Sequence, residues 1–380
     1  MKHRLIILLT CSSIGCFAQN ISLESAIDVA RSQSVEAKEA RQSFISTYWA
    51  YRSYKASRLP SFNLYGGLMS FDRSLTLMQS YEDGSFQYVN SYNLQNSLGL
   101  QVSQNLTFTG GTLSVYSDLS RIDQFGMDKS LTWYSQPITV SYYQPLFTYN
   151  QFKWDKKIEP KEYEKGKRQY MESMEQITIN TVRAYHSLIL ARMNNNIATS
   201  NYANTGKMLS VARERQVLGS VTRDELLQLE LRMLNDSISI NETAVAVREA
   251  QMVLNSVLGY DESYEITPVL EENLPDVYMD YDLVMAKALE NSTFNLDNEI
   301  NLLNAEAAVA QAKASRGISM SLNARFGLSQ TAPDLGGVYS DLLDQGVVGL
   351  SFSVPIFDWG LGKGKVQKAK AAQEVVRAQV

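Results

Sequence analysis

The sequence of 380 residues contains only two cysteines and two histidines. Both cysteines, Cys11 and Cys16, lie in or beside the segment Met1–Ala18. This segment has a basic start, an apolar centre and a Cys-Phe-Ala end, which are typical of a secretory signal. Cleavage after Ala18 would leave a mature chain without thiols, which excludes disulfides and Cys-ligated metals. Cys16 also follows a glycine, as a lipoprotein cysteine would, so lipidation remains an alternative.

Long apolar runs and excess positive charge are also lacking. No stretch of 18 or more apolar residues follows the signal, so no transmembrane helix is expected. The net charge of the whole chain is −5, and without Lys2 and Arg4 it falls to about −7, which argues against a nucleic-acid partner. A secreted chain without an apolar helix can still enter a membrane as β-strands that close into a barrel.

Candidate catalytic groups are scarce. Without the signal the chain has one histidine, His186, which lies on a helical seam. No further metal ligand and no nucleophile to pair with it is evident there. The glycines Gly360, Gly362 and Gly364 do not have the spacing of a nucleotide-binding loop. We therefore expect no catalytic, cofactor-binding or metal site, no cofactor, and a protein that is not an enzyme.

Short segments of strict alternation between apolar and small or polar residues predict β-strands. Four come before residue 147 and two after residue 318, and their apolar positions are Phe62–Leu68, Leu98–Val102, Leu113–Val115, Ile138–Tyr142, Met320–Leu328 and Val348–Val354. Each spans about 9–10 residues, as outer-membrane strands do. Polar loops are predicted at Asp72–Asn96, Arg121–Gln136 and Gln330–Gly346.

One long helical run, Lys156 to Leu218, dominates the rest of the chain, with Pro160 expected at its start. It carries two apolar seams at heptad spacing, namely Met174, Ile177, Thr181, Ala184, Leu188 and Ala191, and then Ile179, Val182, His186, Ile189 and Met193. Two seams suit a helix between two neighbours. Gly219 predicts a left-handed C-cap, and Thr222 with Glu225 predicts a capping box that opens the next helix.

Further helices are predicted at Ser22–Leu59, Thr222–Leu258 and Asp282–Arg316, with a linker at Tyr260–Tyr281. The returning helix carries an apolar stripe of Leu227, Leu231, Leu234, Ile238 and Val245.

Two landmarks recur in the same order and indicate an internal duplication. Lys313-Ala314-Ser315-Arg316 repeats Lys55-Ala56-Ser57-Arg58 before a strand, and Pro355-Ile356-Phe357 repeats Pro145-Leu146-Phe147 after one. The division predicted is residues 1–18 as signal, 19–280 as repeat one and 281–380 as an incomplete repeat two. About 90 residues, enough for a second hairpin, would be missing after Val380.

The organisation resembles the TolC-type outer-membrane efflux family over the whole mature chain. The matching residues are Ile21-Ser22-Leu23 with Ala26-Ile27 and Ala30, the two Pro-aliphatic-Phe segments, Leu254–Gly259, and the hairpin from Arg215 through Gly219 and Thr222 to Glu225-Leu226-Leu227. The resemblance implies an α+β membrane protein: a trimeric outer-membrane β-barrel continued by a long periplasmic α-helical coiled-coil barrel. It implies an adaptor-docking hairpin tip formed by Arg215, Gly219, Thr222, Arg223, Asp224, Glu225 and Leu226. It also implies strand-to-helix ends at Pro145, Phe147, Pro355 and Phe357.

The resemblance further implies a passive duct of a tripartite export system for drugs, small molecules or proteins. Its partners would be two further copies of the chain, a periplasmic adaptor (membrane fusion) protein, an inner-membrane pump of RND or ABC type, and outer-membrane lipid. Repeat one has four strands where the family usually has two, so the hairpin at Thr109-Gly110-Gly111 could instead lie outside the main ladder. The alternative function is a periplasmic adaptor or structural coiled-coil protein of the cell envelope.

Overall fold

The structure, a computed structural model, describes residues 19–79, 84–125, 129–270 and 278–380. The predicted signal and part of the predicted linker lie outside the described residues. The chain forms two compact units. The first contains the described residues up to Ser46 and Gly166–Ser292, and the second contains Thr47–Lys165 and Thr293–Val380. These units cut across the two predicted repeats, so the repeat division stays a prediction.

Seven α-helices and eight strands are present in the described residues. The helices are α1 (Leu23–Gln33), α2 (Val35–Ala56), α3 (Gln151–Val217), α4 (Arg223–Leu258), α5 (Tyr281–Asn291), α6 (Phe294–Arg316) and α7 (Leu361–Gln379). The strands are β1 (Gln19–Ile21), β2 (Ser61–Gln79), β3 (Phe86–Leu106), β4 (Gly111–Gln124), β5 (Ser130–Leu146), β6 (Ile266–Pro268), β7 (Ser319–Ala332) and β8 (Leu343–Ser353).

Two of the predicted helices are each broken into two. Ser34 adopts an extended conformation (ψ 155°) between α1 and α2, and Ser292 does the same (ψ 147°) after α5. The Ser34 hydroxyl accepts the Ala37 N–H at 3.0 Å and so caps α2. The predictions of single helices at Ser22–Leu59 and Asp282–Arg316 were therefore wrong, because a single extended serine breaks the helix without interrupting the apolar periodicity.

The long helix begins earlier than predicted. α3 starts at Gln151, where the Asn150 side chain accepts the Lys153 N–H at 3.2 Å. Pro160 lies inside the helix rather than at its start. A proline there removes one intrahelical hydrogen bond, and the surrounding helix continues on both sides of it for 67 residues in all.

The predicted glycine cap at Gly219 is confirmed, and Gly259 forms a second cap of the same kind. Gly219 and Gly259 have φ of 77° and 76°. Each follows a helix whose last carbonyls accept two crossing hydrogen bonds, Ser220 N–H to Arg215 and Gly219 N–H to Gln216 at one cap, with the same pattern at the other. This is the Schellman arrangement, in which glycine avoids the strain of a left-handed backbone.

The core of the first unit lies where α1, the middle of α3 and the end of α4 meet the short strands β1 and β6. Its buried residues are Ile21, Ala26, Ala30, Ala37, Met174, Ile177, Ala184, Tyr185, Leu188, Ile189, Ala250, Leu254, Leu258 and Ile266. The first predicted seam of α3 is thus buried. Small residues dominate the α1 side, which lets the helices approach closely.

Tyr185 ties the two short strands to α3. Strands β1 and β6 pair in parallel, and the Tyr185 hydroxyl accepts the Val269 N–H at 2.9 Å. The same hydroxyl lies 2.8 Å from the carbonyl oxygens of Ile21 and Val269, within donating distance of both. One fully buried side chain therefore contacts backbone groups from both segments, at the end where β1 and β6 finish.

The second unit contains one six-stranded sheet with the order β2-β3-β4-β5-β7-β8. All neighbouring strands are antiparallel. Four strands of this sheet come before α3 and two after it, as predicted. The turn at Thr109-Gly110-Gly111 joins β3 to β4 within the ladder, so the alternative of an accessory hairpin was wrong.

Three predicted loops are shorter than expected. Most of Asp72–Asn96 belongs to β2 and β3, and parts of Arg121–Gln136 and Gln330–Gly346 also belong to strands. The six strands of this sheet are 11–21 residues long rather than 9–10. Beyond the apolar segments both faces carry polar residues, so the ladder continues where the alternation is no longer visible.

We expect Tyr185→Phe to lower the free energy of unfolding by about 1–3 kcal/mol, because the Val269 N–H and one carbonyl would stay buried without this partner. The measurement is thermal unfolding of the purified full chain in detergent. Tyr202→Phe is the matched control, since the Tyr202 hydroxyl has no hydrogen bond among the described residues. An equal effect of both substitutions would show that Tyr185 does not tie the strands to α3.

Candidate functional site

The six-stranded sheet has one apolar face. The register places the apolar residues of all six strands on the same side, for example Leu64 opposite Leu100 and Leu322 opposite Leu350. The members of this face are Phe62, Leu64, Leu98, Leu100, Val102, Leu113, Val115, Ile138, Val140, Tyr142, Leu322, Phe326, Val348, Leu350 and Phe352. Most of them are exposed. A continuous exposed apolar band of this extent marks a surface that contacts lipid or another protein.

The apolar band has a defined end. On β4 it stops at Leu119, and the next residues on the same face, Arg121 and Asp123, form an ion pair of 2.8 Å. The Arg121 guanidinium also lies 5.8 Å from the ring of Trp133 on β5. On β7 the apolar face runs for nine residues, Met320–Leu328. That length matches the 9–11 residues that a tilted strand needs to cross the hydrocarbon of a bilayer.

The opposite face of the sheet is polar. Its residues include Asn63, Ser97, Gln101, Ser103, Ser114, Asp118, Ser141, Ser321, Asn323, Arg325 and Ser351. The charged side chains of Asp118 and Arg325 both belong to this face, where they avoid the cost of a charge in lipid. The Arg325 guanidinium lies 5.6 Å from the ring centre of Tyr116.

Cross-strand rows of the polar face combine large side chains with glycine. Tyr65, Gly99 and Asp118 are opposite one another on three strands, and a Cβ on Gly99 would lie 2.4 Å from the Tyr65 ring. In another row Tyr116 lies opposite Thr139. The hydroxyls of these two residues are buried and interact with each other across the strands. The polar character of this face therefore extends across neighbouring strands.

The second candidate site is the turn between α3 and α4. Thr222 caps α4, and the predicted capping box is confirmed: the Thr222 side chain accepts the Glu225 N–H, and the Glu225 carboxylate accepts the Thr222 N–H at 2.9 Å. Arg215, Arg223 and Asp224 are exposed around this turn, and Leu226 is half-buried. The structure therefore brings all the predicted tip residues together at one helical hairpin.

Two tip residues were missed by the sequence analysis. Val217 and Leu218 are 88% and 79% exposed at the end of α3. Large apolar side chains this exposed at a loop tip are candidates for a binding surface. Their position directly before the C-capping Gly219 is the signal that could have identified them.

An ion pair and hydrogen bonds join α3 to α4 behind the tip. Arg213 pairs with Glu230 at 2.9 Å, and the Thr205 hydroxyl donates to the Asp236 carboxylate at 2.6 Å. Further from the tip the Asn195 amide donates to Thr243 at 3.0 Å. These polar contacts fix the register of the two helices, so the tip stands on a defined support.

The predicted strand-to-helix ends differ in conformation. Pro145 still lies in β5 opposite Ser321, and the exposed Phe147 has a left-handed backbone (φ 59°). Pro355 instead follows the end of β8, and Phe357 contacts Trp359, which carries the positive φ there (53°). In both segments a helix begins six residues after the proline.

The start of α7 is held by a carboxylate. Asp358 accepts the N–H groups of Gly362 at 2.7 Å and Gly360 at 2.9 Å. These bonds, the one from Gly362 first, hold the pKa of Asp358 below its usual range. The helix therefore keeps this cap at any pH at which the carboxylate is ionised.

Candidate metal ligands do not cluster in the parts of the chain that the structure describes. No group of three or more His, Cys, Asp or Glu side chains there could hold a metal ion. His186 is exposed and contacts the edge of the Tyr185 ring.

None of the helices within the described ranges combines the length and the apolarity that crossing a bilayer requires.

Similar solved structures are outer-membrane channels. The chain matches the CmeC outer membrane channel of Campylobacter jejuni with a TM-score of 0.63 and 16% identity, over 94% of this chain and 66% of that one. It matches the outer membrane protein VceC of Vibrio cholerae with a TM-score of 0.62 and 14% identity, over 94% and 74%. The open state of the MtrE outer membrane channel of Neisseria gonorrhoeae matches with a TM-score of 0.55 and 15% identity, over 93% and 68%.

No protein-family model and no curated protein matches the sequence. The similarity to the solved structures shows that the chain has the fold of these outer-membrane channels. The chain spans about two thirds of the length of the Campylobacter jejuni protein.

The surroundings of Gly219 and Gly259 differ, so we expect different effects of substitution at the two caps. A Cβ on Gly219 would meet nothing within 4 Å, whereas a Cβ on Gly259 would lie 3.0 Å from the Gln33 carbonyl and 3.2 Å from the Ser34 Cα. Gly219→Ala should destabilise the tip locally by about 1 kcal/mol through backbone strain alone. Hydrogen exchange of the tip amides should accelerate while the thermal midpoint of the protein stays unchanged.

Gly259→Ala is the matched comparison, because it has the same positive φ but a packed environment. We expect it to lower the thermal midpoint clearly. A Gly219→Ala protein that melts as early as the Gly259→Ala protein would contradict the independence of the tip.

Proposed function

We propose that the chain is a subunit of an outer-membrane efflux channel that extends into the periplasm. The observation that carries the proposal is the six-stranded sheet, whose apolar face matches the thickness of a bilayer while its other face is polar. The likeness to outer-membrane channels in fold supports it. In the strands of outer-membrane barrels, residues that face lipid alternate with residues that face the lumen. The channel is a passive duct, and it is not an enzyme.

The sheet cannot serve as a channel in one copy. Its outermost strands, β2 and β8, each have one unpaired edge in the described residues, and unpaired backbone groups in lipid cost several kcal/mol each. A closed barrel of six strands would be filled by side chains, whereas 16–18 strands leave an aqueous lumen. Three copies would supply eighteen strands, so we infer a homotrimeric barrel.

Exposed apolar seams on the helices support the same assembly. Of the second α3 seam, Ile179 and Met193 are exposed, and the α4 stripe of Leu227, Leu231, Leu234, Ile238 and Val245 is exposed along its length. Heptad stripes of this kind pack against other helices. In a trimer these seams would join the subunits into the periplasmic helical barrel.

The hairpin tip is the proposed docking site for a periplasmic adaptor protein, which would connect the duct to an inner-membrane pump of RND or ABC type. The tip presents exposed charge at Arg215, Arg223 and Asp224 beside exposed apolar surface at Val217 and Leu218. Such a combination suits an interface with an apolar centre and a polar rim.

A periplasmic adaptor or structural coiled-coil protein is the second candidate. An adaptor has one helical hairpin flanked by small β-domains, but a continuous apolar face across six strands would then lie in water. The membrane-channel assignment accounts for that face, so we favour it. Heat-modifiable mobility on gels and recovery in the outer-membrane fraction would distinguish the two.

We expect Leu234→Glu to abolish the trimer, because it places a charge in the apolar α4 stripe where neighbouring subunits would pack. The measurement is the mass of the detergent-solubilised protein by light scattering. Asn235→Glu is the matched control, since Asn235 is the next residue, exposed and off the stripe. A Leu234→Glu protein with the mass of the wild type would refute the proposed packing.

Charge reversal at the tip, Arg215→Glu with Arg223→Glu, should reduce export and adaptor crosslinking by an order of magnitude or more while the trimer persists. The control is Lys207→Glu with Arg232→Glu, which changes the same charge about three helical turns from the tip. Survival of both export and crosslinking in the tip variant would show that the adaptor docks elsewhere.

A further inference from the structure

Four helix ends lie at the same end of the strands in the six-stranded sheet, which we call the helical edge. α2 ends just before β2, α3 begins just after β5, α6 ends before β7 and α7 begins after β8. The register confirms that these strand ends are neighbours, with Leu146 opposite Met320 and Ser319 opposite Ser353. The edge lies directly beside the apolar band, whose first residue on β2 is Phe62.

This edge is strongly basic although the chain as a whole has more acidic than basic residues. The segments 49–58, 151–160, 307–316 and 361–370 contain twelve basic residues and two acidic ones. The basic residues are Arg52, Lys55, Arg58, Lys153, Lys156, Lys157, Lys313, Arg316, Lys363, Lys365, Lys368 and Lys370. We call this set the basic collar.

Helix stability does not account for the basic collar. Basic residues favour a helix C-terminus, which suits those on α2 and α6. The seven on α3 and α7 lie in the first ten residues of their helices, where the macrodipole disfavours positive charge. Neither helix has an acidic residue in its first turn. Another interaction must therefore favour positive charge at this edge.

Four members of the basic collar lie over aromatic rings, and one, Arg316, lies near the Asp358 carboxylate. In the described residues none of its twelve members forms an ion pair with an acidic side chain. Arg52 lies 5.3 Å from the ring centre of Trp49, Lys55 lies 4.5 Å from Tyr51, Arg58 lies 5.7 Å from Tyr54 and Lys157 lies 5.1 Å from Trp154. Cations over aromatic faces keep their charge available to an anion, and tyrosine and tryptophan favour membrane interfaces.

A cleft of about 560 Å³ opens within the collar. Lys55 and Arg58 line it together with Leu59 and Phe108, whose side chains are 65% and 90% exposed. Two cations beside exposed apolar groups match the phosphate and the first acyl carbons of a phospholipid. The cleft lies at the border of the apolar band, where headgroups would lie.

A second copy of the chain would not neutralise the collar at this level. Any copy related by the barrel axis brings the same twelve cations and only three acids, Asp155, Glu159 and Asp358, to the same height. Burial raises the pKa of Asp155, and burial with its acidic neighbours raises that of Glu159. The countercharge must therefore come from outside the protein.

We propose that the basic collar binds anionic phospholipid headgroups in the leaflet at the helical edge of the sheet, with Lys55 and Arg58 forming one headgroup site. The proposal rests on the proposed function, since it takes the apolar band to be in a bilayer. It assigns a role to lipid composition: anionic lipid would fix the depth of the channel and stabilise the assembled protein.

The test measures lipid retention by the purified full-chain protein. Native mass spectrometry would compare phosphatidylglycerol with phosphatidylethanolamine, and thermal unfolding would be followed with each lipid added. We expect the wild type to prefer phosphatidylglycerol, and the preference to fall about tenfold in Lys55→Gln with Arg58→Gln. Salt at 1 M should remove the preference, because it screens exposed charges.

Lys207→Gln with Arg232→Gln is the matched control, because it removes the same charge from exposed positions on α3 and α4. Lys363→Gln with Lys365→Gln provides a second collar variant should the first fail to fold, and the same loss is expected. An undiminished preference in either folded collar variant would overturn the proposal, as would equal retention of both lipids by the wild type.

Conductance and outer-membrane fractionation of the same preparations distinguish this result from a failure of the proposed function. A protein that forms pores in the outer membrane without lipid preference would refute the basic collar alone. A protein that forms no pores and is absent from the outer membrane would refute the channel itself.

Discussion

The six-stranded sheet imposes the constraint on which the rest of the structure depends: its ladder of hydrogen bonds must close. The ladder ends in β2 on one side and β8 on the other, and in a bilayer those edges have no water to satisfy them. In the proposed channel, several copies of the chain would close the ladder. The exposed seams of α3 and α4 would then pack against other helices, since copies held together by their strands also bring their helices side by side.

The helices of the first unit meet through small residues. Ala26, Ala30 and Ala184 are fully or almost fully buried, and their short side chains allow close contact between helices. Tyr185 is the exception, a large polar residue that satisfies the strands β1 and β6. The first unit therefore combines this helical packing with specific side-chain hydrogen bonds to the backbone, from Tyr185, Arg192 and Asn255, whereas the second unit depends on the regular alternation of its sheet.

Much of this organisation could be predicted from the sequence, and the failures have physical causes. Alternation identified all six strands of the sheet, because each apolar segment has a period of two. It missed their extensions, such as residues 72–79 of β2, because Asp72 and Arg73 interrupt the alternation before Leu75 and Leu77 resume it. The breaks at Ser34 and Ser292 were missed because the apolar period continues through them. The tip geometry was predicted from Gly219, Thr222 and Glu225, whereas the strands tied by Tyr185 are 84 and 164 residues away in sequence.

The open surroundings of Gly219 have a consequence for how such a protein can diverge. The shape of the turn depends on its backbone, on Gly219 and on the capping pair Thr222 and Glu225. Exposed neighbours such as Val217 and Arg223 contribute little to folding. Mutations there would therefore be nearly neutral for stability, and a lineage could change the surface of the tip while the fold of the hairpin is preserved.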